Sequence, residues 1–220
     1  MSLAFWKTDW YFLYGNTFSA MKTEYEKCMA GEPFIGSDPQ LAAMTIRAKR
    51  LLAEFNATDY ADTARRLSLL REMLGSIGEG VHVDIDFHCE YGQNIFLGNR
   101  VIINMNCTFV DNNRIDIGDG VMIASNVQIY TTTHSTDVRE RLVQDWMEGS
   151  ICRTYALPVR IEDNVWIGGG AIILPGVTIG RGSTIGAGSV VTRSIPAGCV
   201  AVGNPCRVIR RLDSMNYETD

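Results

Sequence analysis

An aliphatic or small residue returns at every sixth position from residue 159 to residue 195, without interruption. The members of the series are Val159, Val165, Ala171, Val177, Ser183, Ser189 and Ile195. A second β-branched residue stands two places after each of the first six, and glycines fall between them at fixed offsets. Such a period is typical of a stacked coil, in which each rung buries its apolar side on its neighbours. We therefore predict a mainly β fold, a parallel β-helix whose turn has three six-residue faces, about eighteen residues.

The same period runs through the middle of the chain. Its members there are Val81, Phe87, Ile95, Val101, Cys107, Ile115, Val121 and Val127. The steps from Phe87 to Ile95 and from Cys107 to Ile115 are eight residues long, so two residues should bulge from the turn in each. The period stops after Thr133 and resumes at Val159. This gap predicts an extruded loop over residues 134–158, and long loops in compact domains tend to be functional.

Four segments follow from these boundaries: an arm (1–18), a helical region (19–76), the β-helix (77–199) and a closing segment (200–220). The arm is rich in aromatic residues, and we expect it to pack on the body or on a neighbouring subunit. In the helical region, we expect a first helix from a cap at Ser19 to about Ala30. A second should run from Pro39 to about Phe55, capped at Ser37 or Asp38, because proline suits the first helical position. A third should run from Tyr60 to Leu74, capped by Thr58 or Asp59.

Composition excludes several classes of function. The formal charge of −5 and the pI of about 5.3 are not those of a general nucleic-acid or membrane-surface binder. No apolar run is long enough to span a bilayer, and we find no signal peptide. The six cysteines contain no CxxC pair, so we expect free thiols, no metal site and a cytoplasmic protein.

The three histidines differ in position. His82 and His88 are one repeat apart, and we expect them to stack on one outer face of the coil. His134 stands where the period breaks, at the root of the extruded loop. Imidazole is the side chain best suited to act as a base near neutral pH, so His134 is the candidate catalytic residue.

Several motifs outside the repeats add specificity. They are Lys22-Thr-Glu-Tyr-Glu-Lys-Cys-Met-Ala-Gly31, Ser37-Asp-Pro39, Arg50-Leu-Leu-Ala-Glu-Phe-Asn56, Phe87-His-Cys-Glu-Tyr-Gly92, Asn104-Met-Asn106, Tyr130-Thr-Thr-Thr-His134, Asn164-Val-Trp-Ile-Gly168 and Gly203-Asn-Pro-Cys-Arg207. On these residues the chain resembles the hexapeptide-repeat acyltransferases, and most closely their maltose/galactoside O-acetyltransferase group. The resemblance implies a left-handed parallel β-helix. It also implies a homotrimer with active sites between subunits, where acetyl-CoA and a sugar acceptor meet.

The resemblance also implies a mechanism. His134 matches the family's catalytic histidine, which takes a proton from a sugar hydroxyl that attacks the thioester of acetyl-CoA directly. No acetyl-enzyme is required, and Cys89 and Cys107 lie on the repeat grid as core residues.

The family's sugar-contacting positions map onto four residues of this chain, Asp38, Glu90, Asn104 and Asn112. Carboxylates and amides suit sugar hydroxyls because they hold directional hydrogen bonds. Asp38 has an alternative role as the cap of the helix that begins at Pro39. Glu90 and Asn112 stand where the galactoside type has serine and aspartate, and Glu90 resembles the maltose type instead. Asp111, present in both types, is a further candidate for polarising the site.

The family's donor contacts map onto the last coils. The backbone at Gly169 and Ala187 matches the pantetheine groove, while Thr192, Arg193, Arg207 and Arg210 match contacts to the polar end of the cofactor. Clustered cations suit the phosphates of CoA, although any single arginine can also be a solvated surface charge. Trp166 either packs on the cofactor arm or stacks on the coil.

The extruded loop departs from the family pattern. It is several residues longer than usual, and Thr154 replaces a glutamate, for which Glu148 is a candidate substitute.

Four alternatives remain at this stage. A streptogramin-type xenobiotic acetyltransferase shares the coil but is disfavoured by the helical lead-in. A serine acetyltransferase would have a longer helical region. A γ-type carbonic anhydrase needs three convergent histidines. A non-enzymatic trimeric scaffold would not need His134 with Arg207 and Arg210.

Overall fold

The computed structural model describes residues 22–143 and 150–212. The aromatic arm, the predicted cap Ser19 and Glu148 lie outside this part of the chain. The described helices are α1 (Glu24–Met29), α2 (Pro39–Ala57), α3 (Thr63–Met73) and α4 (Val138–Arg141).

The helix caps confirm one prediction and correct two. Asp38 caps α2, with its side chain accepting from the Gln40 N–H. In α1 the cap is Thr23, which forms a capping box with Glu26. In α3 the cap is Asp62, so this helix begins three residues after the predicted start. Thr58 and Asp59 do not cap α3, because α2 continues to Ala57 and Thr58 is its C-terminal cap.

The described strands are short and regularly spaced. They are β1 (Ser76–Ile77), β2 (His82–Val83), β3 (His88–Cys89), β4 (Ile95–Leu97), β5 (Ile102–Ile103), β6 (Thr108–Val110), β7 (Ile115–Ile117), β8 (Met122–Ile123), β9 (Gln128–Tyr130), β10 (Thr132–Thr133), β11 (Tyr155–Ala156), β12 (Val159–Ile161), β13 (Trp166–Ile167), β14 (Ile172–Ile173), β15 (Thr178–Ile179), β16 (Thr184–Ile185), β17 (Val190–Val191), β18 (Cys199–Val202) and β19 (Arg207–Arg211).

Successive strands lie in three different sheets, which form the faces of a triangular prism. Sheet I has the order β1-β4-β7-β12-β15, sheet II the order β2-β5-β8-β13-β16-β18, and sheet III the order β3-β6-β9-β14-β17. All neighbours in these three series are parallel. The predicted β-helix is therefore present, and its pairing extends through β18, three residues beyond the expected end. The strand β19 returns antiparallel to β18 and closes sheet II.

Strand pairing explains the irregular steps. Trp166 pairs with Thr184, eighteen residues on, whereas Ile102 pairs with Met122, twenty residues on. The two extra residues in a longer turn are those of an eight-residue step. We name the three edges of the prism by the sheets they join. Among the described residues, corner III–I comprises 90–94, 111–114, 131–143, 150–158, 174–176 and 192–194, so both longer steps and both ends of the extruded loop fall on this one corner.

Corner II–III comprises residues 84–86, 104–106, 124–126, 168–170 and 186–188. Each turn there has one residue in the left-handed region, with φ between 57° and 68°. These residues are Asp86, Asn106, Asn126, Gly170 and Gly188. Asparagine, aspartate and glycine are the residues that adopt this conformation at least cost, which explains the sequence at these offsets.

One expectation about the histidines was wrong. His82 lies in β2 of sheet II and His88 in β3 of sheet III, so they are on different faces. A six-residue step moves the chain to the next face, and only a step of eighteen or twenty residues returns it to the same one.

The inward side chains fill the prism. In sheet II, Ile103, Ile123, Ile167 and Ile185 stack in register and are fully buried. Burial of such a side chain contributes about 1.5–3 kcal/mol. Helix α2 adds Leu51, Leu52 and Phe55 to this core at the first coil, so the helical region covers one end of the β-helix.

Candidate active site

The extruded loop leaves and rejoins the coil through an antiparallel pair of strands. In this pair, β10 lies beside β11, with Thr133 opposite Tyr155. On its other side, the returning chain forms a bridge from Thr154 to Phe34, which is buried. The loop root is therefore fixed both to the coil and to the helical region.

His134 follows β10 directly and is exposed. Its Nδ1 lies 2.9 Å from the carbonyl oxygen of Arg153. Because a carbonyl can only accept, Nδ1 carries the proton of the neutral ring, and Nε2 keeps a free lone pair. The backbone of the returning loop strand therefore fixes the tautomer and the orientation of the imidazole.

Glu90 lies in the first of the longer steps, beside helix α2. Its Oε1 is 3.2 Å from the Thr45 hydroxyl, and its Oε2 is 3.4 Å from the Lys49 ammonium. About a third of the side chain is exposed, which leaves the carboxylate open to a ligand.

Asp111 lies on the next turn of the same corner and is fully buried. Its Oδ1 accepts from the Glu90 and Tyr91 N–H groups, both at 2.9 Å, and its Oδ2 accepts from the Asn94 N–H. Burial raises the pKa of Asp111, and these N–H donors oppose that shift. The side chain thus supports the turn that carries Glu90.

Asn112 and Asn113 follow Asp111 in the same turn of corner III–I. The Asn112 Oδ1 accepts from the Thr132 hydroxyl, two residues before His134. Asn113 donates to the carbonyls of Cys28 and Ala156, at 2.8 and 3.0 Å. The hydrogen bonds of these asparagines therefore connect this turn to the root of the extruded loop.

Asp38 both caps α2 and is partly exposed, so its two predicted roles are compatible.

Most of the remaining predicted residues lie elsewhere on the prism. Asn104, Gly169 and Ala187 stack along corner II–III, and Asn104 donates to the Ile123 carbonyl of the next turn at 3.0 Å. A Cβ on Gly168 would lie 2.6 Å from the Ala187 nitrogen, which shows how closely these turns approach. Trp166 is exposed on sheet II, and Arg207 and Arg210 are exposed on β19 at its edge.

Thr192 and Arg193 follow β17 at corner III–I. The predicted donor residues are therefore divided between two corners and one face of the chain. His134 and Glu90 share corner III–I, whereas Asn104 does not.

The comparisons with known proteins show the family of the chain. The family described as maltose acetyltransferase hexapeptide capping motif matches residues 27–78, and six bacterial transferase hexapeptide repeats match residues 158–193. The galactoside O-acetyltransferase of Escherichia coli is 40% identical over 188 residues, 86% of this chain and 89% of that protein.

The chain belongs to the maltose/galactoside O-acetyltransferase family.

Two solved structures are similar to this chain along most of their length. The maltose O-acetyltransferase of Clostridium difficile 630 has a TM-score of 0.81 and 44% identity, covering 88% of this chain and 99% of that one. A hexapeptide-repeat acetyltransferase from Vibrio cholerae, complexed with acetyl coenzyme A, has a TM-score of 0.78 and 39% identity. The alignment covers 88% of this chain and 100% of that one. The coil is therefore the left-handed β-helix of the maltose/galactoside O-acetyltransferase family.

The cysteines of this acetyltransferase are placed as core residues. Cys89 and Cys107 are buried, and burial raises the pKa of the Cys107 thiol to about 11 and that of Cys89 well above its usual value. A thiol held neutral in this way is a poor nucleophile.

Within the described ranges 22–143 and 150–212, we find no cluster of three metal-ligating side chains. None of the helices in these ranges is both long and apolar enough to cross a bilayer.

Several residues around corner III–I were not predicted from the sequence. Thr45, Lys49, Asn94, Thr132 and the Arg153 carbonyl contact predicted site residues. Asn113 contacts Thr131 at the root of the extruded loop. The two eight-residue steps were the available signal for Asn94 and Asn113, because both lie inside a step. The residues on α2 and the loop carbonyl depend on tertiary packing and have no local signal.

Proposed function

We propose that this acetyltransferase transfers the acetyl group of acetyl-CoA to a hydroxyl of a sugar or glycoside, with His134 as general base. The observation that carries the proposal is the hydrogen bond between His134 Nδ1 and the Arg153 carbonyl, which leaves Nε2 free to accept a proton. The acceptor class follows the names of the relatives, maltose and galactoside O-acetyltransferases. The donor follows the acetyl coenzyme A in the Vibrio cholerae structure.

The reaction is a direct transfer within a ternary complex. Nε2 of His134 takes the hydroxyl proton as the sugar oxygen attacks the thioester carbonyl carbon. The C–S bond then breaks, and the CoA thiolate leaves with the proton returned by the imidazolium. General-base catalysis of this kind contributes about 10²–10⁴ in rate.

Glu90, Asn112 and Asp38 provide hydrogen-bonding groups for the acceptor on the His134 side. Asn104, Gly169 and Ala187 lie on the other corner with Trp166 nearby, and there they suit the pantetheine arm and the part of the acceptor next to it. Thr192, Arg193, Arg207 and Arg210 are the candidate contacts for the polar end of CoA.

This division supports a homotrimer. A site that uses corners III–I and II–III needs two subunits, because each chain has these corners on opposite edges of sheet III. In a cyclic trimer, corner III–I of one subunit meets corner II–III of the next, and sheet III turns towards the axis. The exposed Ile102, Met122 and Trp166 on sheet II form an apolar stripe beside this junction, suited to cover by the cofactor or by the next subunit.

The free thiols of all six cysteines are typical of a reducing compartment. We place the enzyme in the cytoplasm on that ground.

The experiment that tests the function measures CoA release from acetyl-CoA with glucosides, galactosides, maltose and chitooligosaccharides. We expect turnover with at least one sugar and a loss of about 10²–10⁴ in kcat for His134→Ala. Acetyl-CoA binding should persist in that variant. His82→Ala is the matched control, because His82 lies on sheet II and contacts Tyr60.

Two results would contradict the proposal. Full activity of His134→Ala would show that His134 is not the base. Failure of the wild-type protein to bind acetyl-CoA would show that acetyl-CoA is not the donor.

A further inference from the structure

Helix α2 presents a row of polar side chains to corner III–I. Asp38, Thr45 and Lys49 are spaced by seven and four residues, which places them along one side of the helix. Leu41 and Leu52, near the same side, are buried and seat the helix on the body of the protein. The polar row is therefore held at a fixed distance from Glu90.

Lys49 makes two contacts with the first long step. Its Nζ donates to the Cys89 carbonyl at 2.8 Å and lies 3.4 Å from Glu90 Oε2. The ammonium has three protons, so it can make both contacts at once. About half of the Lys49 side chain is exposed.

The Thr45 hydroxyl is a weaker partner. Its Oγ1 lies 3.2 Å from both the Leu41 carbonyl and Glu90 Oε1. A hydroxyl has one proton, so it donates to only one of these acceptors at a time. Lys49 is therefore the more constant constraint on the Glu90 side chain.

The Glu90 main chain is fixed from the opposite direction, because its N–H donates to the buried Asp111. The carboxylate is thus held between the coil and the helix. An ionised carboxylate has about four acceptor positions, of which Lys49 and Thr45 occupy two. The others are open to solvent and can accept from two neighbouring hydroxyl groups.

We propose that Lys49, supported by Thr45, is a positioning residue that presents Glu90 to a vicinal pair of sugar hydroxyls and so sets acceptor specificity. The inference rests on the proposed function. It assigns helix α2 to the wall of the acceptor site, in addition to its role in covering the end of the coil. Because the side-chain contacts of Lys49 are with Cys89 and Glu90, we expect its effect to be confined to the acceptor.

The test compares Lys49→Met, Lys49→Arg and wild type with the best sugar acceptor from the panel. Methionine keeps most of the length of lysine and removes the charge, whereas arginine keeps the charge. A partly exposed ion pair is worth about 1 kcal/mol or less, so we expect Lys49→Met to raise the acceptor KM about 3- to 5-fold. The acetyl-CoA KM should stay unchanged, kcat should change less than the acceptor KM, and Lys49→Arg should recover most of the loss.

Two further variants sharpen the result. Thr45→Val should raise the acceptor KM by a smaller factor than Lys49→Met. Arg50→Met is the matched control, because Arg50 is exposed on the same helix, about 100° around the helix axis from Lys49. Thermal unfolding of every variant separates positioning from a loss of fold.

An unchanged acceptor KM in Lys49→Met overturns the inference. So does a parallel rise in the KM values of acceptor and acetyl-CoA, or a failure of Lys49→Arg to recover, because each indicates a structural role. In these cases the wild type remains active and His134→Ala inactive, so the proposed function stands. Absence of sugar turnover in the wild type instead overturns the proposed function, and this inference with it.

Discussion

Asp111 fixes the backbone of corner III–I at the turn that carries Glu90. A buried carboxylate is costly, and here it is retained because three backbone N–H groups point at its two oxygens. Two of these groups belong to Glu90 and Tyr91, so the orientation of a proposed ligand contact depends on a side chain that is itself inaccessible to solvent.

Asp111→Asn should therefore destabilise the protein and impair acceptor binding. An amide has only one acceptor oxygen, and in either orientation its NH₂ group faces a backbone N–H. Leaving a buried donor without an acceptor costs about 1–3 kcal/mol. Urea unfolding measures the loss of stability, and the acceptor KM should rise in the same variant.

The control for this prediction is Asp116→Asn on the outer side of sheet I, where Asp116 pairs with Arg114 in a partly exposed position. It should change the free energy of unfolding by about 1 kcal/mol or less. Equal effects of the two substitutions would contradict the role given to Asp111.

At the scale of single residues, the sequence makes His134 the candidate base but does not predict how its ring is oriented. The candidate follows from its position at the break in the period and from the family motif. The group that orients the ring is a main-chain carbonyl nineteen residues away, and any residue at position 153 would supply one. Ser183 and Ser189 are polar residues at positions of the period that face the core. They occupy buried grid positions, where hydrogen bonds to backbone groups of neighbouring turns satisfy their hydroxyls.

At the scale of elements, the six-residue period predicted nearly every strand of the coil, because each inward position must be apolar or small. The period also located the extruded loop and both longer steps. It could not predict helix α4, the bridge between Phe34 and Thr154, or the packing of α2 against Glu90. These features come from contacts between segments far apart in sequence, which leave no repeated pattern.

The third corner of the prism is held by a ladder of polar side chains. Asn99 accepts from the Glu79 N–H, Asp119 accepts from the Asn99 N–H at 2.8 Å, and Asp163 accepts from the Asp119 N–H at 3.0 Å. These bonds connect successive turns, so the ladder stabilises the stacking of the coil at its exposed edge.

This ladder should contribute to acid sensitivity through Asp119. The Asn99 N–H and side-chain amide lower the pKa of Asp119 below its usual value. A carboxyl with a lower pKa in the folded state stabilises the fold above its unfolded pKa of about 3.9. That contribution is lost as the pH falls through the folded value. Asp119→Asn should therefore show a smaller drop in Tm than wild type between about pH 5 and pH 3.

The exposed Glu72→Gln on α3 is the control for this measurement and should follow the wild-type curve. Parallel Tm curves for wild type and Asp119→Asn would show that the ladder is not linked to protonation.

At the scale of the whole molecule, the division of the site between two corners has a consequence that one chain alone cannot satisfy. His134 and Glu90 lie at one edge of sheet III, and Gly169 and Ala187 at the other. If both edges belong to one active site, the two halves come from different subunits. Two variants that are each inactive, with one change at each corner, should then recover activity when their subunits are mixed in one trimer.

The two subunit types are His134→Ala, which lacks the base, and Ala187→Trp, which blocks the donor groove. Ala187 is exposed at a turn, so a tryptophan there leaves the core intact. Each variant alone should form inactive trimers. An intact site needs His134 from an Ala187→Trp subunit and an open groove from the neighbouring His134→Ala subunit. In trimers assembled at random from equal amounts, about one quarter of the sites meet this condition, so we expect about one quarter of wild-type activity.

Co-expression with two different affinity tags isolates the mixed trimers, and CoA release measures their activity. The mass of the assembly in solution checks the trimer itself. If each subunit contained a complete site, no site in a mixed trimer would have both its histidine and its groove intact. Mixed trimers without activity would therefore contradict a site shared between two subunits, and acetyl-CoA binding to Ala187→Trp would then show whether corner II–III holds the donor.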